Sequence, residues 1–256
     1  MTSPRSTRTA DPVPAGQVAL DGLVALLDLE QLELNLFRGV SPPERPTRVF
    51  GGQVAGQALV AAGRTVETGR SVHSLRAYFV RPGDPRVPIV YEVERVRDGR
   101  SFTTRRVRAV QRGEVIFALS ASFQLPQDGV EHTEPAPVGV PAPEGLPDLG
   151  ERLRESGGYL VGQPRPLDLR FVDAPPWSEA RGPVTDEPMR VWMRADGVLP
   201  DDPLLHVCLL TYASDLTLLP SVLARHEVHM GEVQMASLDH AMWFHRPFRA
   251  DEWLLY

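Results

Sequence analysis

Lysine is missing from this chain altogether: the 27 Lys-plus-Arg positions are all arginine. A lysine Schiff base is therefore excluded, and any bound phosphate must be met by guanidinium groups or by backbone N–H groups. Cysteine occurs once, so no internal disulfide can form. Cys208 lies between Val207 and Leu209 and reads as a small core residue rather than a nucleophile. No G-x-S-x-G elbow occurs, which removes the usual serine-hydrolase arrangement. Runs of arginine and apolar runs of membrane length are also lacking, and the net charge is −6. Neither nucleic acid nor a membrane is an expected partner. The N-terminus has no apolar segment of the secretory kind, so the expected location is cytoplasmic.

What is present is a repeat. The segment from Val72 to Pro82 (VHSLRAYFVRP) lies over Ser237 to Pro247 (SLDHAMWFHRP) at a fixed offset of 165 positions. Phe79, Arg81 and Pro82 fall on Phe244, Arg246 and Pro247, Tyr78 falls on Trp243, and Ile89-Val-Tyr91 falls on Leu254-Leu-Tyr256. A basic–proline pair, its aromatic neighbours and a later apolar triplet in one register point to an internal duplication. A length of 256 residues, 42% of them hydrophobic, accommodates two related units with real cores. In this register the first copy runs on through Glu92–Gln124 and the second stops at Tyr256, so the second unit is expected to lack its last strands.

Local patterns give the elements. Residues 1–18 carry few large apolar side chains and are expected to form a disordered tail. The first unit, 19–125, opens with leucines at helical spacing from Leu20, an amphipathic helix expected to run to the polar turn before a Phe37-Arg-Gly-Val strand. Phe50–Ala62 (FGGQVAGQALVAA) reads as a second helix rich in small residues. An interior glycine costs about 1 kcal/mol against alanine, so these glycines require a reason. Either a sheet packs closely on the helix, or the N–H groups of Gly51 and Gly52 face a ligand carbonyl or phosphate at the helix start. The spacing is not that of a dinucleotide fingerprint.

Four strand-like runs follow, Val72–Val80, Ile89–Arg97, Ser101–Val110 and Val115–Gln124. Asp98-Gly99 and Arg112-Gly113 are hairpin signals of the positive-φ kind, which predicts an antiparallel meander and an α+β unit. Residues 126–166, with repeated Pro and Gly and one short helix candidate at Leu149–Glu155, form a linker. The second unit, 167–256, begins with strand candidates Leu167–Val172 and Arg190–Ala195. Asp202 before Pro203 marks a helix start, and the helix that follows is apolar nearly all round, hence buried on most sides. Pro220 cannot bond the Leu216 carbonyl and crowds it, so a kink is expected near 215–219.

Asp215 sits in that helix. Its pattern fits a solvated or locally bonded acid at a helix break, and in so apolar a helix an acid otherwise needs a reason. A strand over 237–246 puts Ser237, Asp239, Ala241, Trp243 and His245 on one face and Leu238, His240, Met242, Phe244 and Arg246 on the other. His240 and His245 then point apart, and no metal site is expected. Taken alone, Ser237 is an ordinary strand serine.

The chain closely resembles the bacterial acyl-CoA thioesterase II family and its peroxisomal relatives. The resemblance is carried by FGGQVAGQALVAA (50–62), HSLRAYFVRPGD (73–84), RDGRSFTTRRV (97–107), ASFQ (121–124), VWMRADGVLPDD (191–202), LLTYASDLTLLP (209–220) and LDHAMWFHRPF (238–248), and it covers residues 20–256. It implies a double hotdog: two tandem units, each an antiparallel sheet wrapped round a central helix, with the second incomplete here at its C-terminus. It implies hydrolysis of acyl-CoA to free fatty acid and coenzyme A without metal or redox cofactor. In the family a water is activated by an Asp on the second helix, a Thr hydroxyl at the start of the following strand and a Gln late in the second unit. Asp215 stands at the Asp position and Ser237 at the Thr position, and the Gln has no counterpart before the chain ends. Gly51, Gly52 and His73 are the substrate-binding candidates, with His73 also able to anchor strand to helix. Hotdog units pair through their sheets, which implies a homo-oligomer. The rival readings are a non-catalytic acyl-CoA-binding or inactive truncated remnant and, from another class, a hotdog dehydratase. The latter needs a His/Glu or Asp/His arrangement that these motifs lack.

Overall fold

A computed structural model of the chain describes residues 15–42, 47–155, 165–175, 177–178, 188–226 and 232–256. Positions 1–14 of the expected tail lie outside the described residues. Helix α1, Ala15–Leu27, begins inside the stretch expected to be disordered. It is ordered there because Leu20, Leu23 and Leu27 are buried and because Gln17 reaches across to Val198. The Gln17 amide donates to the Val198 carbonyl at 3.3 Å, and its Oε1 accepts from the Val198 N–H at 2.8 Å. The helix also stops sooner than the leucine spacing predicts. Arg64 pairs with Asp28 and donates to the Leu29 carbonyl at 2.6 Å. The next residues are extended: strand β1 (Glu30–Glu33) pairs antiparallel with β2 (Leu36–Gly39).

Helix α2 (Gly51–Gly63) is followed by β3 (Ser71–Phe79), β4 (Ile89–Asp98), β5 (Phe102–Gln111) and β6 (Glu114–Gln124). A 3-10 turn at Pro143–Gly145 and helix α3 (Leu149–Glu155) lie in the Pro/Gly-rich stretch. Then come β7 (Leu167–Phe171), β8 (Val191–Ala195), α4 (Pro203–Leu223), β9 (Asp239–Trp243) and β10 (Leu254–Leu255). Among the described residues the strands form a seven-stranded sheet, β1-β2-β4-β5-β6-β3-β9, and a three-stranded sheet, β10-β8-β7. The fold is α+β, and it is the expected double hotdog.

Three expectations about the first unit need correction. The meander is β4-β5-β6, and β3 pairs with β6 rather than lying beside β4. The β3–β4 connection carries Pro82, Pro85 and Pro88, which cannot close a tight hairpin, and its Val80 and Arg81 N–H groups bond the Ile116 carbonyl at 2.9 and 3.1 Å. Arg112 and Gly113 do form a positive-φ turn, at 51° and 81°. Gly99 does not adopt positive φ; its turn is closed by the Gly99 N–H on the Phe102 carbonyl at 2.9 Å. Finally, the glycines of α2 face the other helix rather than a sheet. A Cβ at Gly52 would lie 2.3 Å from the Tyr212 carbonyl oxygen, and one at Gly56 would lie 3.1 Å from that of Cys208. The two helices run antiparallel at a separation that side chains at these positions would not allow.

The duplication is visible in the strand order. β1-β2-α2-β3-β4 is answered by β7-β8-α4-β9-β10, and β10 pairs with β8 as β4 pairs with β2. The repeat strands β3 and β9 lie side by side, with Ser74 opposite Trp243 and Tyr78 opposite Asp239. Arg76 faces Ala241, and these two are 165 positions apart. Each is thus the repeat equivalent of the other, and the approximate two-fold axis passes between them.

Helix α4 starts as expected, with the Asp202 carboxylate accepting from the Leu204 N–H at 3.0 Å. It stays helical through Pro220 to Leu223: the proline removes one N–H, but its carbonyl still accepts the Ala224 N–H at 3.0 Å. It is less uniformly apolar than expected, since His206, Thr211, Ser214, Asp215 and Thr217 are all buried within it. By length and composition α4 could cross a membrane, contrary to the expectation that no such run exists. Here it packs against α2 as the core helix of the second unit.

Candidate active site

Asp215 lies where α4 crosses the start of α2. Ser237 Oγ donates to Asp215 Oδ1 at 2.9 Å. The other carboxylate oxygen lies against the first turn of α2: a Cβ built on Gly51 would stand 2.7 Å from Asp215 Oδ2 and 2.7 Å from the Phe79 ring. The missing side chain at Gly51 is therefore what lets the carboxylate reach the helix N-terminus. The backbone N–H of Gly52 lies on this side of the carboxylate and favours its charged form.

With 9% of its surface exposed, Asp215 is nearly withdrawn from water. Burial raises its pKa above the ordinary carboxylate value, and the Ser237 hydrogen bond, the nearby His240 ring and the Gly52 N–H each hold it down in part. The result is a carboxylate of raised basicity, held by neutral donors at the positive end of a helix.

The predicted residues do not all converge. Asp215, Ser237, Gly51 and Gly52 come together. His73 does not: it lies six residues from Phe79 on β3, about 20 Å along the strand. Its Nδ1 is 3.2 Å from Ser74 Oγ and its ring meets Phe102 edge-on at 6.0 Å. The His73 carbonyl accepts the Phe244 N–H at 2.9 Å. These are contacts within the sheet layer, not the strand-to-helix anchor considered from the sequence.

The assignment of faces around Ser237 also changes. β9 begins at Asp239, so Ser237 precedes the strand and escapes its period-two alternation. Ser237 and His240 consequently both reach α4. His240 Nε2 is 3.1 Å from Ser214 Oγ, one residue before Asp215. His240 and Ser214 are the site-lining pair that the sequence reading missed. The repeat held the signal: 165 positions before His240 stands Leu75, a core residue. A histidine in place of a buried leucine calls for a polar partner.

Beside this pair a cavity of about 570 Å³ opens between α4, β9 and β10, lined by Leu210, Ser214, Leu218, His240, Met242 and Phe248 among others. Its walls are chiefly apolar. Cys208, fully buried in the same helix, has its thiol pKa pushed far up by desolvation and is no nucleophile. Among the described residues no cluster of three or more His, Cys, Asp or Glu side chains is placed to hold a metal.

Comparison with known proteins agrees with this architecture. The family described as acyl-CoA thioesterase matches residues 167–256, and that described as acyl-CoA thioesterase N-terminal domain matches residues 41–124. The chain is 40% identical to acyl-coenzyme A thioesterase 8 of Homo sapiens, over 95% of this chain and 80% of that protein. It is 37% identical to acyl-CoA thioesterase 2 of Haemophilus influenzae, over 93% of this chain and 85% of that protein. Among solved structures it is similar to the acyl-CoA thioesterase II TesB2 of Mycobacterium marinum, with 49% identity, a TM-score of 0.74 and coverage of 91% of this chain and 84% of that one.

Proposed function

Since the chain belongs to the acyl-CoA thioesterase family, we propose that its Asp215, together with Ser237, activates the water that cleaves acyl-CoA to free acid and coenzyme A. The observation that carries the assignment is the 2.9 Å bond from Ser237 to a buried carboxylate lodged against the first turn of α2.

The ionised Asp215 takes a proton from water as the water oxygen attacks the thioester carbonyl carbon. Ser237 fixes the orientation of the carboxylate by donating to Oδ1, and Oδ2, at the first turn of α2, is the oxygen that receives that proton. Negative charge develops on the carbonyl oxygen, and the N–H groups of the first turn of α2, opened by Gly51 and Gly52, are the donors that meet it. When the tetrahedral intermediate collapses, the carbon–sulfur bond breaks and the thiolate leaves with the proton held by Asp215. Hydrolysis moves no electrons to or from an acceptor, so these residues complete the balance. The apolar cavity beside Ser214 and His240 suits an acyl chain. Tyr78 and Trp243, 52% and 62% exposed on the β3–β9 pair, support self-association through the sheet, which light scattering would test.

The test is thiol release from a panel of acyl-CoAs of increasing chain length, with parent and Asp215→Asn side by side. Steady release by the parent and its near-abolition in the variant are expected. Parent and variant within twofold of each other would show that another group acts as base. Hydration of an enoyl-CoA with no thiol released would overturn the hydrolase reading itself.

A further inference from the structure

We propose that His240 is a positioning residue for Asp215, acting through Ser214 on the helix rather than on the substrate. The proposal rests on the reading of Asp215 as the base. Ser214 and Asp215 are consecutive on α4, and each is tied to the segment that leads into and through β9. Ser237 Oγ bonds Asp215 at 2.9 Å, and three residues later His240 Nε2 meets Ser214 Oγ at 3.1 Å.

The two ties differ in what stands behind them. Ser237 lies ahead of the strand, whereas His240 is in β9, whose backbone is paired to β3 with His240 opposite Ala77. The Ser214–His240 bond therefore fixes this turn of α4 to the sheet, and the Asp215–Ser237 distance is set by that fixation.

The hydrogen-bond directions follow from proton counting. Ser214 has one hydroxyl proton and lies 2.9 Å from the Thr211 carbonyl and 3.5 Å from Met242 Sδ. The carbonyl is the stronger acceptor and is the usual partner of a serine within a helix. The Ser214 oxygen is then an acceptor, and His240 must carry its hydrogen on Nε2. Among the described residues His240 Nδ1 has no hydrogen-bond partner, and the residue is 7% exposed. Burial lowers the ring's affinity for a second proton, while the carboxylates of Asp215 on α4 and Asp239 on β9 raise it. A neutral ring with its one N–H committed to Ser214 orients its neighbour without exchanging protons with the reacting atoms.

The test measures acyl-CoA thiol release by the whole chain for Ser214→Ala, His240→Leu, their double variant, His240→Gln and Asp215→Asn, with a thermal melt for each. Ser214→Ala and His240→Leu should each lower kcat about tenfold to a hundredfold, the scale of a sub-ångström to 1 Å misplacement of the base, with KM changed less than about twofold. The double variant should be no slower than the slower single one, because both changes break the same bond. The glutamine amide reaches Ser214 with an N–H, so His240→Gln should recover most of the rate. In an Asp215→Asn background neither change should slow the enzyme further. Ser214→Ala removes one oxygen from a helical position, so it answers the question even if His240→Leu fails to fold. A Ser214→Ala enzyme with parental kcat, a loss confined to KM, or losses that multiply in the double variant would each overturn the proposal while an inactive Asp215→Asn leaves the base assignment standing. Should Asp215→Asn itself keep parental activity, the base assignment fails and this proposal fails with it.

Discussion

The two central helices bury polar side chains to opposite ends. On α2, Gln57 is fully buried and has its bonds filled: its amide donates to the Leu26 and Val40 carbonyls at 2.7 and 3.2 Å, and its Oε1 accepts from the Tyr91 hydroxyl at 2.6 Å. Gln53 likewise donates to Val40 and Ser41, both at 3.0 Å. On α4, the Asp215 carboxylate accepts a hydrogen bond from Ser237, and burial still raises its pKa. A buried amide whose donors and acceptors are all matched fastens structure. A buried carboxylate left short of donors keeps an appetite for a proton, and that is what a base requires.

Changes on either helix should separate these roles, and the sharpest is at Asp215. Asp215→Asn keeps the shape and an acceptor for Ser237 but removes the base, and turnover should fall by about 10²–10⁴ with no drop in melting temperature. A comparable loss of folding instead would put Asp215 in the same class as Gln57. Next comes Gly51→Val, whose side chain would occupy space held by Asp215 Oδ2 and the Phe79 ring. Displacing the carboxylate by an ångström should cost about a hundredfold in kcat, and activity near the parent's would show that the carboxylate need not touch α2. Removing the donor by Ser237→Ala should cost about tenfold to a hundredfold, the worth of a hydrogen bond to a charged group. Ser237→Thr should retain or improve the rate, and an alanine variant as fast as the parent would remove Ser237 from the mechanism.

The α2 counterpart should behave the other way. Gln57→Leu leaves the Tyr91 hydroxyl and the Leu26 carbonyl unmatched and should destabilise the fold by about 1–3 kcal/mol, as read by denaturant unfolding, with kcat of the folded enzyme within about twofold. The smallest effect is on pH dependence. Folded Asp215 keeps its proton to higher pH than the unfolded chain does, because burial penalises its charge. Its contribution to stability is therefore lost as pH rises from the ordinary carboxylate value through the raised one, and is level above it. Asp215→Asn should remove that limb, so its melting temperature should gain on the parent's across that window and hold the gain at neutral pH. The rate of the parent should climb through the same window as the base ionises.

Much of this was legible from residues close in sequence. The Asp202–Pro203 start of α4, the glycine-rich α2 and the strand runs each follow from local propensity, and the 165-position repeat announced two units. What escaped was decided by partners far along the chain. Arg64 ends α1 early by binding Asp28 and Leu29, and β3 pairs with β6 because the proline-rich connection forbids a hairpin with β4. The glycines of α2 signalled a close approach but could not name α4 as the neighbour. At the site, Asp215 and Ser237 were carried by resemblance alone. The period-two rule misplaced Ser237 relative to His240 because it was applied two residues before the strand begins.

The axis between Arg76 and Ala241 has a further consequence. Two separate copies of one unit pairing across β3 would form a symmetric dimer, in which any substitution appears twice, once on each central helix. Joining the copies in one chain makes the pairing intramolecular, with an effective concentration in the millimolar range or above, so the seam no longer depends on how much protein is present. It also frees the copies to diverge: α2 keeps the glycines that admit a neighbour, and α4 alone carries the acid. Covalent linkage here is a licence for asymmetry: two helices equivalent by descent are free to carry different residues.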